Sequence, residues 1–176
     1  NVGAAWLSTQ MGPDVFYRYV QAFGFGRSTE VDLAGEIGGQ LWLPSDYLHW
    51  HDSNLGTNSF GQGVAVTPLQ MIAAVATVAN GGKRLRPHIV HQRIEPDGAV
   101  STFRPAVEAQ VISPRVADQV TEMMVRTVEE GVPEARVAGY RVAGKTGTAQ
   151  IPVPGGYDKE HTIVSFVGFG PVPDPQ

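Results

Sequence analysis

The sequence predicts an α+β fold, an antiparallel sheet covered by helices and joined to part of a helical lobe. Three observations point to it. Two segments open with strong helix-start signals, Thr67-Pro68-Leu69-Gln70 and Ser113-Pro114. Residues 140–151 and 161–169 read as strands on either side of one Pro/Gly loop, so antiparallel pairing is expected. Between the helices, Glu95-Pro96-Asp97-Gly98 carries the turn chemistry of a β-hairpin.

Composition sets the outer limits. The chain has 176 residues, 42% apolar and 17% charged, which suits one globular domain. It has no cysteine, so disulfides and thiolate metal sites are excluded. A net charge of -4 without a Lys/Arg block argues against nucleic acid as a partner. No apolar run reaches the ~20 residues of a membrane span. The chain opens at Asn1 without an initiator methionine. It reads as a fragment whose membrane anchor lies elsewhere.

Asn1 to Leu7 is small and apolar, and is expected to be a buried helix already under way. Gly12-Pro13-Asp14 starts a second helix, with proline in its first position and an acid in its first turn. Phe16, Tyr17, Val20 and Phe23 recur at helical spacing and are expected to pack in the core, with Gly24 as the cap. Residues 24–66 are punctuated by eight glycines and read as a long irregular connection forming a wall of the site. Within it, His49-Trp50-His51-Asp52 lacks further ligands at metal spacing and reads as a surface pair.

Thr67 caps the third helix, with Leu69, Ile72, Ala73, Ala76 and Ala79 along one face and Asn80-Gly81-Gly82 as its stop. Residues 88–94 and 100–103 form the hairpin strands. The helix after Ser113 should bury Val116, Val120, Met123, Met124, Thr127 and Val128 and end at Gly131. The Pro/Gly loop at residues 152–156 then separates the two long strands. The second, Ile163 to Phe169, is apolar enough to require a further partner or become an exposed edge.

The chain is organised around Val142-Ala-Gly-Lys145-Thr-Gly-Thr-Ala-Gln150. With Gly139 in front it matches the Gly-x-x-x-x-Gly-Lys-Thr pattern of a phosphate-binding loop. That loop requires a helix starting at the Lys-Thr, and Gly147, Pro152, Pro154, Gly155 and Gly156 forbid one. The alternative is a strand bearing the Lys-Thr-Gly of serine acyl-transfer enzymes. Lys145 would supply positive charge, Thr146 and Thr148 hydroxyl donors, and Gly147 room for a substrate lying along the strand. A surface lysine guarding an edge strand fits the Lys-Thr-Gly equally well.

The surroundings weigh in favour of chemistry. The Lys145 stretch, Ser59-Phe-Gly-Gln-Gly63 running into Val66-Thr-Pro-Leu-Gln-Met71, Ala79-Asn-Gly-Gly-Lys83, Arg86-Pro-His-Ile89 and Ser165-Phe-Val-Gly-Phe169 together resemble the transpeptidase domain of class B penicillin-binding proteins. The resemblance covers the whole chain in order. It implies a serine β-lactamase/transpeptidase-like fold, here part of that domain. Residues 1–23 would be a remnant of the helical lobe, 24–66 the glycine-rich connection, and 67–176 the helices and sheet.

The implied reaction is serine acyl transfer on the D-Ala-D-Ala ends of peptidoglycan stem peptides, with β-lactam antibiotics acylating the same serine. Lys145 carries over as the catalytic lysine, Asn1 as the asparagine of a Ser-x-Asn motif, and Thr146, Gly147 and Thr148 as substrate binders, with the Thr148 amide as an oxyanion donor. The resemblance implies no cofactor or metal, an extracytoplasmic position at the bacterial membrane, and cell-wall synthesis proteins as partners. One departure is large: no Ser-x-x-Lys occurs in the chain, so the chain alone is expected to be inactive. A non-catalytic sensor or scaffold of the same family stands as the alternative. Asn1 and Lys145 are expected to meet in a groove between lobe and sheet edge.

Overall fold

The computed structural model describes residues 1–175. Three helices, α1 (Val2–Met11), α2 (Pro13–Ala22) and α3 (Asp52–Asn58), pack together, α1 lying against both others. α1 is not buried as expected: Val2, Trp6 and Leu7 are exposed. Its apolar residues are spread round the circumference, and the face meeting α3 carries Ser8. The Ser8 hydroxyl is buried within reach of Ala5 O at 2.8 Å and Leu55 O at 3.0 Å.

The aromatic face of α2 does pack inward, through Tyr17, which is 3% exposed. Its hydroxyl accepts hydrogen bonds from Trp50 Nε1 (2.8 Å) and Asn58 Nδ2 (2.9 Å), tying α2 to the segment at α3. His49 stacks on Trp42 with ring centroids 4.4 Å apart and sits 3.0 Å from Asp46. His51 precedes α3, where its backbone N–H donates to Asn54 Oδ1. α3 itself is absent from the sequence reading, because seven residues containing Gly56 show no apolar period.

The irregular connection is tied down by side chains. Asp32 accepts from the backbone amides of Ile89 and Val90, and Glu36 accepts from Thr29 N, Thr29 Oγ1 and Glu30 N. α4 (Pro68–Ala79) begins with the expected capping box: Thr67 Oγ1 accepts from Gln70 N, and Gln70 Oε1 from Thr67 N. Its inward face is Gln70, Ala74 and Thr77, while Ile72 is exposed, which corrects the expected stripe. Polar residues hold that face because Gln70 Nε2 donates to both Arg27 O and Gly38 O.

Three two-stranded antiparallel ladders follow. β1 (Lys83–Leu85) pairs with β4 (Val107–Gln110), and β2 (Gln92–Ile94) with β3 (Val100–Thr102) around the expected turn. There Gly98 has φ +85°, and its N–H donates to Glu95 O. The expected strand over residues 88–94 shrinks to 92–94, because Ile89 and Val90 give their amides to Asp32 instead of a neighbouring strand. β1 and β4 carry too few residues to alternate, and the sequence reading lacks them.

α5 (Pro114–Arg126) is capped by Ser113 Oγ, which accepts from Val116 N. It continues as a π-helical turn, Thr127–Gly131. Its buried residues are Ala117 and Val125, with Val128 in the turn. Val116 and Met123 are exposed, so the inward face lies about a quarter-turn from the expected one. β5 (Ala143–Val153) and β6 (Gly156–Phe169) form the long hairpin, with register Lys145↔Val167, Gly147↔Ser165 and Val153↔Gly156. Antiparallel pairing is as expected. The loop is tighter, only Pro154 and Gly155, so β6 starts five residues before His161. Val125, Ala143 and Val172 form a buried cluster with Met124 and Phe169 against it, and Val172 N donates to Arg141 O.

Candidate functional site

The first half of β5 is held rigidly. Ala143 and Gly144 are buried, and α5 packs on the strand. Arg141, just before it, meets Glu122 of α5 at 2.8 Å. Gly144 has no room for a side chain, since a Cβ there would collide with the Phe166 ring and lie 3.2 Å from Val128 Cγ2. The strand then emerges: Lys145 and Thr148 are exposed, and Thr146 and Gly147 half-buried. Extended backbone follows Lys145 through Val153, with no helix after the Lys-Thr, and this geometry excludes the phosphate-loop reading.

β5 pairs only with β6, so among the described residues its other edge is unpaired. Strand alternation places Lys145 and Gly147 on one face, Thr146 and Thr148 on the other. The lysine nevertheless folds over onto the next residue of its own strand. Its Nζ donates to Thr146 O at 2.8 Å and lies 3.4 Å from Thr146 Oγ1. An ammonium, two threonine hydroxyls and a stretch of unpaired backbone thus share four consecutive residues. This combination can receive an extended peptide and bind a carboxylate at its end.

Two neighbours escaped the sequence reading. Ser165 of β6 faces Gly147, and its Oγ would stand 2.6 Å from a Cβ at position 147. Phe166 closes over Gly144. Counting the antiparallel register outward from the turn would have missed both, because the pairing slips between Gln150 and Pro152 and would have set Thr162 opposite Gly147. Asn1 lies at the start of α1, exposed, with its carbonyl accepting from Ala5 N. Among the described residues no hydrogen bond joins it to Lys145.

Residues 1–176 match the penicillin binding protein transpeptidase domain. Similar curated proteins include stage V sporulation protein D of Bacillus subtilis, 40% identical over 99% of this chain and 27% of its own length. Penicillin-binding protein PbpB of Mycolicibacterium smegmatis is 39% identical over 100% of this chain and 28% of its own length. The chain therefore spans little more than a quarter of these relatives. Among solved structures, penicillin binding protein 3 of Mycobacterium tuberculosis complexed with aztreonam superposes with a TM-score of 0.91, at 32% identity, over 99% of this chain and 41% of that one. Penicillin binding protein 2X of Streptococcus thermophilus gives 0.87 at 29% identity, over 99% of this chain and 27% of that one.

Proposed function

Since the chain belongs to the penicillin-binding protein transpeptidase family, in its class B branch, with the serine β-lactamase/transpeptidase-like fold, we propose that it forms the lysine-bearing wall of a peptidoglycan D,D-transpeptidase site. The observation that supports this most directly is the exposed Lys145-Thr146-Gly147-Thr148 run on a strand with one open edge. A stem peptide adds antiparallel to that edge, and its terminal carboxylate is taken by the Thr146 and Thr148 hydroxyls with the Lys145 ammonium beside them.

A serine outside this chain attacks the D-Ala-D-Ala carbonyl. The Thr148 N–H stabilises the oxyanion, D-alanine leaves with a proton, and an amine of a neighbouring stem takes the acyl group. Lys145 and Asn1 serve proton traffic and positioning around that serine. The resting hydrogen bond from Lys145 to Thr146 O lies in water and is worth about 1 kcal/mol, so substrate can exchange it readily. β-Lactams acylate the same serine, in keeping with the one relative solved both with aztreonam and with ampicillin.

We assign the reaction to the extracytoplasmic face of the membrane, among cell-wall synthesis proteins. No helix of the described residues is long and apolar enough to cross a membrane. The test is Lys145→Ala in the full-length protein. Acylation by a fluorescent penicillin should fall by about 100-fold or more, with melting unchanged. Undiminished acylation removes Lys145 from the mechanism.

A further inference from the structure

A second polar site lies apart from β5, in the cleft where the end of α2 meets α4 and the β1–β4 ladder. The cleft encloses a cavity of about 30 Å³ lined by Gly24, Arg27, Glu30, Gln70, Arg84 and Glu108, among others. That is room for a small group and no more.

Arg84 dominates it. Its side chain is 9% exposed, with Nη2 3.0 Å from Glu108 Oε2. Its Nε is fully enclosed and has no hydrogen-bond partner among the described residues. A buried charged donor left without an acceptor is costly. Gly24 has no side chain to dispute this space: a Cβ there would stand 3.1 Å from Arg84 Nη1. Arg27 brings a second guanidinium to the same cleft, and no carboxylate lies within ion-pair distance of it among the described residues. Burial, and then the charge of Arg27, push the Arg84 guanidinium below its usual pKa, with Glu108 acting the other way.

The other acids nearby are committed elsewhere. Glu30 leans to Arg86, 3.6 Å away. The Glu36 carboxylate is taken up by Thr29 N, Thr29 Oγ1 and Glu30 N. Of the two acids that line the cavity, Glu108 pairs with Arg84 and Glu30 leans to Arg86, which leaves the Arg27 guanidinium without a carboxylate partner among the described residues.

We propose that this cleft binds a single carboxylate group, gripped by the Nε edge of Arg84 and neutralised by Arg27. The planar fork of a guanidinium suits a carboxylate through two parallel hydrogen bonds. The small cavity suits a planar group better than a bulkier tetrahedral phosphate, and a spherical chloride cannot use the fork. The group can come from a free acid or from the end of a peptide.

The test uses the full-length protein in a Lys145→Ala background, so that capture beside Lys145 does not report. ¹³C-Acetate is titrated at constant ionic strength and its line broadening followed. A peptide, acetyl-Ala-Ala, competes in its free-acid form and, separately, as the C-terminal amide. Saturable broadening with a Kd of roughly millimolar is expected, weakened about tenfold by Arg27→Gln and by Arg84→Lys. Competition by the free-acid peptide alone assigns the site to peptide ends. No competition by either form assigns it to small free acids. Because Arg27 is exposed, Arg27→Gln remains informative if Arg84→Lys fails to fold. Broadening that does not saturate, that survives Arg27→Gln unchanged, or that chloride abolishes at equal concentration overturns the proposal.

Discussion

The hydroxyl of Ser165 occupies the space that a side chain on Gly147 would need, its Oγ 2.6 Å from the position of a Cβ there. Gly147 is therefore explained by its neighbour on β6 without reference to any substrate. Gly144, three residues earlier, is closed off by an aromatic ring and by Val128. A serine hydroxyl can rotate away, and the Phe166 ring, 46% exposed, can swing outward, but Val128, 1% exposed, cannot yield.

The two glycines should consequently respond differently to alanine. Gly144→Ala is expected to destabilise the full-length protein by about 1–3 kcal/mol through overpacking. Gly147→Ala should cost less than half as much, with Ser165→Gly recovering most of the loss. Denaturant melts of Gly144→Ala, Gly147→Ala, Ser165→Gly and the Gly147→Ala/Ser165→Gly pair decide the matter. Equal losses at both positions, or no recovery, would show that Ser165 is not the obstacle.

Gln70 is 1% exposed and connects three pieces of backbone: it accepts from Thr67 N and donates to Arg27 O and Gly38 O. Gln70→Ala should cost about 2–4 kcal/mol, since it leaves one donor and two acceptors buried without partners. Gln70→Glu should be at least as damaging, because it keeps the acceptor, loses both donors and buries a charge. A loss below about 1 kcal/mol for Gln70→Ala would mean that water replaces the amide freely.

These examples show why some of the fold could be read in advance and some could not. The capping box at Thr67, the turn at Glu95-Pro96-Asp97-Gly98 and the long hairpin through Lys145 are local signals, written within a few residues of where they act. The Lys145 strand was legible for the same reason, since glycines and prolines after Thr146 rule out a helix. Long-range contacts decided the rest. Nothing near Gln70 in sequence announces that Arg27 and Gly38 will need a donor, so the sequence of α4 suggests an alanine-rich stripe where the structure has a polar face. Asp32 takes its amides from residues 57 and 58 positions away, and thereby cancels a strand that residues 88–91 would otherwise suggest.

Tyr17 offers a test of the helical part. Its hydroxyl accepts from both Trp50 Nε1 and Asn58 Nδ2. Tyr17→Phe leaves two enclosed donors unpaired and should cost about 2 kcal/mol. Trp50→Phe introduced into Tyr17→Phe should cost less than the same change in the natural protein, because its hydrogen bond is already gone. Additive losses in this double-mutant cycle would contradict the shared acceptor.

Asp32 links the stability of the connection to pH. Its carboxylate is held below its ordinary pKa, first by the Ile89 amide and then by the Val90 amide, with the positive charge of His88 adding to the effect. A carboxylate depressed on folding stabilises the protein at any pH above its unfolded value. That contribution disappears as pH falls through the lower, folded value. The natural protein should therefore exceed Asp32→Asn in melting temperature from pH 6 down to about 4, and the gap should close at more acid pH. Glu36, likewise depressed, chiefly by the Thr29 hydroxyl, titrates over a similar range. The comparison is cleanest when both proteins also carry Glu36→Gln. If the gap stays constant down to pH 2, the tether at Ile89 and Val90 does not depend on the charge of Asp32, and an amide side chain serves it equally well.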